Sequence, residues 1–407
     1  MAKGIKFTEG GVCAAKGFVA NGIHCGIRKN KNKRDLSLIF SQKIASAASV
    51  YTTNLVKGAP LLVTKENISD GYAQAVICNS GNANTCNANG VEIAEMTCSY
   101  IAKELNITPE NIIVASTGVI GQPMDISPIK KGIPELVQGL GKKSEIAAEG
   151  IMTTDTKLKQ IAVTFEIDGV KCAMGGIAKG SGMIHPNMAT MLVFITTDVS
   201  ITPKMLNFAL KKDIQDTFNM VSVDGDTSTN DMVSVLANGM AGNTIISENG
   251  KAFNIFKKAL NLVNSKLCEM IAKDGEGATK LLRAIVTSAK SNKDAKLVAK
   301  SIICSSLVKS AMFGSDANWG RVLCAIGYSG AKCDIHKVDV SFLSKGGMIE
   351  VCKDGHGVEF SEEEAKTILS LDEIDILVFM NEGKGKAKAW GCDLTYEYVK
   401  INGDYRT

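Results

Sequence analysis

One uncharged segment, from Gly180 to Thr197, contains the residue types that could carry covalent chemistry. It holds two glycines and one proline but no Asp, Glu, Lys or Arg over eighteen residues, and it runs into a predicted buried strand. A surface loop is normally more polar, so we expect this backbone to lie inside a functional site. Thr190 stands at the head of the predicted strand, directly after the small residue Ala189.

A threonine in this position can cleave its own chain. Its hydroxyl attacks the Ala189 carbonyl carbon, the acyl group moves from nitrogen to oxygen, and water then releases a new N-terminal Thr190. The freed α-amine has an ordinary pKa of about 7.7–8.0, against about 10.4 for lysine, so it is available as a base at neutral pH. One residue would then supply both nucleophile and base. Taken alone, these residues also fit an ordinary turn that enters a core strand.

Other catalytic and ligand-binding motifs are incomplete in the sequence. The four histidines, at positions 24, 185, 336 and 356, are far apart, and none has a partner at the spacing of a metal site. We therefore predict no metal centre and a catalytic base other than histidine. Gly180-Ser181-Gly182 begins like a dinucleotide-binding fingerprint, but His185 occupies the place of its third glycine. Asp224-Gly225-Asp226 lacks the rest of a calcium loop and is predicted to cap the next element.

Strand-like and helix-like segments, which must position these residues, alternate along the whole chain. The sequence predicts strands within 36–40, 75–78, 111–115, 191–196, 338–343, 374–379 and 394–401, and helices within 92–105, 202–218, 251–272, 293–309 and 318–326. Asp168-Gly169 between the strand-like segments 161–167 and 170–177 predicts a hairpin with a tight turn. The predicted fold class is α/β or α+β, with mixed sheets flanked by helices.

Composition limits the kind of protein and its partners. The 407 residues are 45% apolar and 22% charged, as in an ordinary globular chain. The 46 basic and 42 acidic residues leave a net charge of +4, too small an excess to predict nucleic acid as the main partner. The basic stretch 28–34 is predicted to be a solvated loop. The apolar part of 180–197 is shorter than the roughly 20 residues of a spanning helix, so no membrane partner is expected.

The cysteines and the N-terminus bear on the cellular compartment. Twelve cysteines are scattered without a C-x-x-C pair, and the first residues lack the apolar core of a secretory signal. We expect reduced thiols and a cytoplasmic protein.

Several long motifs, in one order along the chain, resemble the ornithine acetyltransferases, or glutamate N-acetyltransferases, of arginine biosynthesis. They are Lys179–Phe194, Ser116–Gly121, Thr153–Thr156, Ala389–Tyr396 and Lys400–Thr407. The resemblance covers essentially the whole chain. It implies self-cleavage between Ala189 and Thr190, and a self-processing fold like that of this family and of related aminopeptidases.

The resemblance also implies the reaction. The family transfers an acetyl group from N2-acetyl-L-ornithine to L-glutamate, giving L-ornithine and N-acetyl-L-glutamate. A covalent acetyl-Thr190 intermediate predicts ping-pong kinetics. The family needs no cofactor, and some members also use acetyl-CoA as a co-substrate.

The resemblance also implies the roles of individual residues, which match the family's functional positions. Thr190 is the nucleophile, and the Thr117 hydroxyl with the Gly118 backbone N–H forms the oxyanion hole. The positions that contact substrate are Thr154, Lys179, Thr190, Glu276, Asn402 and Thr407. Because acetylornithine carries a carboxylate and an ammonium, we assign Lys179 to the first and Glu276 to the second.

The resemblance implies two chains made from one. Residues 1–189 form an alpha fragment and residues 190–407 a beta fragment, intertwined in one fold with the active site at their junction. The fragments of the family assemble into a heterotetramer.

Two other functions stay open, one with self-cleavage and one without it. A self-processing amidohydrolase or aminopeptidase would share the N-terminal threonine but pass its acyl group to water. A binding protein without catalytic activity would keep the bond between Ala189 and Thr190 intact.

Overall fold

The computed structural model describes residues 4–185 and 191–403. Its strands are β1 (Lys6–Thr8), β2 (Phe18–Ile23), β3 (Leu36–Tyr51), β4 (Tyr72–Asn82), β5 (Ile112–Val119), β6 (Lys159–Ile167), β7 (Val170–Lys179), β8 (Leu192–Thr197), β9 (Val221–Ser222), β10 (Met232–Ala237), β11 (Leu281–Ala289), β12 (Asp339–Ser344), β13 (Gly347–Lys353), β14 (His356–Gly357), β15 (Glu373–Phe379) and β16 (Gly385–Cys392).

The helices alternate with these strands, as the sequence predicts. They are α1 (Ala59–Asn67), α2 (Gly90–Leu105), α3 (Ser127–Gln138), α4 (Ser144–Ile151), α5 (Pro203–Asp213), α6 (Lys251–Lys273), α7 (Asn292–Cys304), α8 (Ser306–Phe313), α9 (Trp319–Gly327), α10 (Glu362–Leu369) and α11 (Tyr396–Gly403). Short 3-10 turns join some of them.

The chain divides into two units, each with its own sheet. Unit 1 comprises the described parts of 1–180, 187–215 and 227–267, and unit 2 those of 181–186, 216–226 and 268–407. Each unit therefore contains residues from both sides of the predicted cleavage point.

Unit 1 is built on a mixed sheet in the order β1-β6-β7-β8-β10-β3-β4-β5, with β2 also paired to β3. The pairs β8–β10 and β4–β5 are parallel, and the others are antiparallel. Long β3 belongs to both halves of the sheet, because a register shift between Phe40 and Ala45 bends it. Two apolar clusters stabilise this unit, one around Phe18 and Phe194 and the other around Leu36 and Ile101.

Unit 2 is built on a second mixed sheet in the order β14-β13-β12-β15-β11-β16-β9. Strand β11 lies inside this sheet, parallel to β15 and antiparallel to β16. Its side chains Leu281, Leu282 and Val286 are fully buried. The mixed α/β fold class predicted from the sequence is confirmed.

The predicted hairpin is confirmed, and its local chemistry explains it. Strand β6 pairs with β7 through the turn Asp168-Gly169, whose φ angles are +50° and +80°. A two-residue turn of this kind needs positive φ at both positions.

Three sequence predictions differ from the structure. Segment 394–401 is helical, since α11 occupies Tyr396–Gly403 where a strand was predicted. The predicted helix 293–309 is two helices, because Ser305 is extended and its Oγ accepts a hydrogen bond from the Val308 N–H at 3.3 Å. The helix predicted to reach residue 218 ends at Asp213.

In the part of the chain that the structure describes, no helix is long and apolar enough to cross a membrane. All twelve cysteines are free thiols.

Candidate active site

Three predicted site residues, Ala189, Thr190 and Thr407, lie outside the described residues. The strand predicted after Thr190 is present as β8, which begins at Leu192 and is buried along its length. The other predicted residues occupy defined places in one unit or the other.

The predicted oxyanion-hole residues end strand β5. Pairing with β4 continues to Val119, so both residues lie within the strand. Gly118 has a φ of +134°, and a Cβ atom there would lie 2.3 Å from the Gly81 carbonyl carbon and 2.6 Å from the Asn82 nitrogen. The close approach of β4 therefore requires glycine at position 118.

Lys179 contacts the predicted oxyanion hole. Its Nζ donates a hydrogen bond to Thr117 Oγ1 at 3.4 Å, and Thr117 is only 8% exposed. Lys179 ends β7 and pairs with Leu192, the first residue of β8. A cation and a hydroxyl therefore lie beside the first residue of β8, which is two positions after Thr190 in the sequence.

Asp155 anchors the backbone next to Lys179 by hydrogen bonds, and it was not among the predicted residues. Its carboxylate accepts hydrogen bonds from the Gly180 N–H at 2.7 Å, the Thr153 N–H at 2.9 Å and Lys159 Nζ at 2.7 Å. Lys159 and Asp155 form an ion pair with side chains only 1% and 0% exposed. The predicted residue Thr154 is half-buried. It lies between Thr153, whose N–H donates to the Asp155 carboxylate, and Asp155 itself.

The charges of Asp155 and Lys159 stabilise each other. Burial raises the pKa of Asp155, but the Lys159 and Lys179 ammonium groups outweigh it and hold that pKa well below its usual range. Asp155 is therefore ionised at neutral pH and fixes the backbone where the uncharged segment begins.

Asp231 and Asn230 lie just before β10, the parallel neighbour of β8. The Met232 N–H donates to the Met191 carbonyl at 2.8 Å, which places Asp231 beside the residue that follows Thr190. Asp231 Oδ2 is buried without a hydrogen-bond partner among the described residues, and burial raises the pKa of this carboxyl well above its usual range. Asp231 is thus a buried acid that favours its neutral form.

Asn230 fixes the strand that carries the two predicted oxyanion-hole residues. Its Nδ2 donates to the Ser116 carbonyl at 3.0 Å and to the Ala83 carbonyl at 2.6 Å. Its Oδ1 accepts from the hydroxyls of Thr85 and Thr229, both at 2.6 Å. The amide is therefore fully used in setting the position of the peptide before Thr117.

In unit 2, Glu276 and Asn402 come together. Asn402 Nδ2 donates to Glu276 Oε2 at 2.8 Å, although the two residues are 126 positions apart. Glu276 is buried, and its N–H donates to the Ser181 carbonyl at 2.8 Å. A Cβ atom on Gly182 would lie 2.3 Å from the Glu276 carboxyl group, so glycine at 182 makes room for this side chain.

Two further carboxylates, Asp224 and Asp226, act on the same tyrosine hydroxyl as Glu276. Asp224 accepts hydrogen bonds from the Met183 and Ile184 N–H groups at 2.6 and 2.9 Å. It therefore anchors the segment before the predicted cleavage point, and the prediction that it caps the next element is wrong. Burial, followed by the charges of Asp224, Glu276 and Asp226, raises the pKa of the Tyr398 hydroxyl. This part of unit 2 has a negative potential that favours a bound cation.

His185 is the last described residue of this segment. Its Nδ1 lies 3.1 Å from Ser222 Oγ and 3.5 Å from Cys304 Sγ. Burial and the nearby Lys300 lower the pKa of His185 to about 4, so the ring is neutral at physiological pH. Within residues 4–185 and 191–403 no cluster of His, Cys, Asp and Glu could hold a metal ion.

The sequence carried a partial signal for the residues that were missed. Asp155 lies inside the quoted motif Thr153–Thr156, and Asn230 and Asp231 are polar residues directly before an apolar run. Polar residues at the start of a buried strand can indicate a site, but which partners they have is decided by strands far away in sequence.

The structure defines a mixed α/β protein in which Lys179 contacts Thr117 in unit 1 and buried Glu276 contacts Asn402 in unit 2. The sequence matches the model of the ArgJ family over residues 19–407. This chain belongs to the ArgJ family, in agreement with the motifs discussed above.

Relatives match over nearly the whole chain. Arginine biosynthesis bifunctional protein ArgJ 1 of Clostridium acetobutylicum is 53% identical over 392 residues, covering 96% of each chain. The protein ArgJ of Caldanaerobacter subterraneus subsp. tengcongensis is 49% identical over 405 residues, covering 99% of this chain and all of its own. The crystal structure of ArgJ from Bacillus halodurans aligns with this chain at 46% sequence identity and a TM-score of 0.50. The alignment covers 52% of this chain and 97% of the solved chain.

Proposed function

We propose that this chain is an acyltransferase of arginine biosynthesis that transfers an acetyl group from N2-acetyl-L-ornithine to L-glutamate. Membership of the ArgJ family over residues 19–407 carries the proposal. The products are L-ornithine and N-acetyl-L-glutamate. The names of the relatives, arginine biosynthesis bifunctional proteins, support the same pathway.

The reaction proceeds through Thr190 in two acyl substitutions. The Thr190 hydroxyl attacks the acetyl carbonyl, its proton passes to the Thr190 α-amine, and ornithine leaves with a proton on its nitrogen. The glutamate amine then attacks the acetyl ester and releases the Thr190 hydroxyl. Both steps form an oxyanion, which the Thr117 hydroxyl and the Gly118 N–H stabilise.

Two charged residues match the charges of acetylornithine. Lys179, beside Thr117, binds the substrate carboxylate, and buried Glu276, oriented by Asn402, binds the side-chain ammonium. Thr154 and Thr407 contribute further contacts to the substrate. The raised pKa of Tyr398 supports the negative potential at Glu276 that this assignment needs.

Self-cleavage between Ala189 and Thr190 generates the catalytic threonine. The length of the solved Bacillus halodurans chain supports this step, because 97% of that chain matches 52% of the present one. That makes the solved chain about 218 residues long, which is the number of residues from Thr190 to Thr407. The presence in each unit of residues from both sides of position 189 supports fragments that are intertwined.

The assembly and the co-substrates follow from the same proposal. The alpha and beta fragments assemble into a heterotetramer, and no cofactor takes part. Acetyl-CoA serves as a second acetyl donor for glutamate, which the word "bifunctional" in the relatives' names supports. The free thiols support a reducing, cytoplasmic location.

A product assay tests the transfer against the alternative of hydrolysis. The purified protein is incubated with acetylornithine, with and without glutamate, and ornithine, N-acetylglutamate and free acetate are measured. We expect sustained formation of ornithine and N-acetylglutamate in equal amounts when glutamate is present, and without glutamate no more than one ornithine per active site. Acetate released at the same rate with or without glutamate would identify an amidohydrolase instead.

Replacing Glu276 by Gln is expected to raise the KM for acetylornithine by about 10- to 100-fold. A neutral amide keeps the contact with Asn402 but loses the charge-assisted hydrogen bond to the ammonium, which contributes about 1.5–3 kcal/mol. Initial rates at varied acetylornithine measure the effect. The matched control is Glu359→Gln, on an exposed side chain of the same unit. An unchanged KM in E276Q would remove Glu276 from the ammonium site.

Deleting residues 402–407 is expected to abolish transfer and leave the fold intact. Helix α11 has no buried residue, so losing its end costs little packing energy, whereas Glu276 loses the hydrogen bond that orients it. Activity and the thermal unfolding midpoint of the truncated and full chains give the two readouts. Full activity after the deletion would show that neither Asn402 nor Thr407 is needed for acetyl transfer.

A further inference from the structure

Unit 1 contains a second cleft, lined by the end of β3, by α1 and the turn after it, and by α5. It has a volume of about 580 Å³, which lies in the range of small-molecule sites. We call it the lysine cleft, after the four lysines that line it: Lys57, Lys65, Lys204 and Lys211. None of the site residues discussed above lines it.

The charge of the lysine cleft is unbalanced. None of the four ammonium groups has an ion pair or a hydrogen bond to any residue that the structure describes. One carboxylate, Asp70, lines the cleft, and it accepts a hydrogen bond from the Tyr72 N–H at 2.9 Å. All four lysines are exposed, and four cations beside one anion give this concave surface a positive potential. A bound polyanion would be attracted by that potential.

Helix α5 orders two of these lysines along one face. Lys204 and Lys211 are seven residues apart, which is two helical turns, and Asn207 lies between them on the same side. These two lysines therefore present their charges along one side of the helix.

The cleft also has an apolar surface. Leu61 is buried under it, Leu62 is 50% exposed, and the ring of Tyr51 forms part of the wall. A ligand with both phosphate groups and a flat or aliphatic part would bury this surface, whereas an inorganic anion would leave it in water.

The cleft extends toward the strand of the predicted nucleophile. Tyr51, at its end, pairs with Met232 of β10, and Met232 pairs with Leu192 of β8. Neighbouring strands lie about 4.8 Å apart, so Tyr51 and Leu192 are separated by roughly 10 Å across the sheet. A ligand seated on the lysines would need only an extended arm to bring a reactive group to that row of the sheet.

We propose that the lysine cleft binds the phosphate groups of a nucleotide-type ligand. Two sources share this chemistry, an acyl-CoA and a free nucleotide. The first rests on the function proposed above: the CoA thioester would acetylate Thr190, its C–S bond breaking as the C–O ester bond forms and the hydroxyl proton passing to the thiolate. The cleft then explains how one enzyme accepts both a small amino-acid donor and a large phosphorylated donor.

The test compares the variant K65Q/K211Q with the wild type and with the control K212Q/K258Q. The control removes two charges from exposed lysines of the same unit that do not line the cleft. Binding of CoA, adenosine 3′,5′-bisphosphate, ATP and inorganic phosphate is measured by calorimetry at low and high salt. The rates of glutamate acetylation with acetylornithine and with acetyl-CoA are measured on the same samples.

We expect CoA and the bisphosphate to bind the wild type and the control alike, and K65Q/K211Q about tenfold or more weakly, since each lysine contributes a charged contact. In that variant the KM for acetyl-CoA rises by the same factor, while transfer from acetylornithine is unchanged. Binding of ATP but not of CoA, lost in the variant, supports the phosphate site and assigns it to a free nucleotide. Equal binding by all three proteins, or binding by none, overturns the proposal. Absence of transfer from acetylornithine in the wild type would refute the proposed function and leave the binding result to be judged by itself.

Discussion

Thr190→Ala is expected to lose both self-cleavage and acetyl transfer. The alanine has no hydroxyl to attack the carbonyl of residue 189, so the chain stays whole and no N-terminal amine forms. Transfer from acetylornithine should fall by about 10⁴-fold or more, as for other enzymes without their nucleophile. Product formation is measured with acetylornithine and glutamate, and the chain length on a denaturing gel.

The matched control is Thr190→Ser. Serine keeps a hydroxyl and, once released, an α-amine on the same residue, so cleavage and measurable transfer are expected to persist. Circular dichroism of both variants should match the wild type, since serine lacks only the methyl group of threonine and alanine lacks only its methyl and hydroxyl groups. Transfer by T190A at the wild-type rate would exclude Thr190 as the nucleophile.

Asp155→Asn is expected to lower the free energy of unfolding by about 3–5 kcal/mol, because it leaves the Lys159 ammonium buried without its counter-ion. It should also slow transfer, since Asp155 fixes Gly180, next to Lys179. Urea unfolding monitored by circular dichroism measures the first effect, and steady-state rates at saturating substrate measure the second.

The pH dependence gives Asp155 a signature of its own. Its pKa is depressed in the folded protein and about 3.9 when unfolded. Its contribution is therefore present above about pH 4 and is lost as the pH falls further. In D155N this part of the acid-dependent loss should be absent.

The matched control for this ion pair is the double variant D155N/K159M. It removes both charges and should be more stable than D155N, because no unpaired charge stays buried. If D155N and the wild type unfold at the same urea concentration at pH 7, the ion pair does not stabilise the fold.

Those parts of the structure that depend on neighbours in sequence could be predicted. The hairpin at Asp168-Gly169 follows from the turn that these two residues favour, and α2 from its spacing of apolar residues. Thr202 was a recognisable helix start, and its Oγ1 indeed accepts a hydrogen bond from the Met205 N–H.

Other parts depend on contacts that the sequence does not display. Segment 394–401 alternates polar and apolar residues like a strand. Tyr396 is nevertheless 84% and Val399 70% exposed, so these apolar side chains do not form the buried face that such alternation indicates. Strand β10 was missed because a short buried run gives no periodicity to distinguish strand from helix.

The same distinction applies to the site. Thr117, Lys179, Glu276 and Asn402 were predicted only through their place in family motifs. The contacts between Thr117 and Lys179, and between Glu276 and Asn402, join residues 62 and 126 positions apart. Charge pairing over such distances follows from the topology of each sheet and not from local spacing, which is why Asp155 and Asn230 escaped prediction.

Denaturing mass spectrometry of the purified wild-type chain tests the central claim most directly. The account predicts two fragments in equal amounts, residues 1–189 and residues 190–407, the second with threonine at its N-terminus. A single intact chain of 43.2 kDa, unchanged after prolonged incubation, would contradict it.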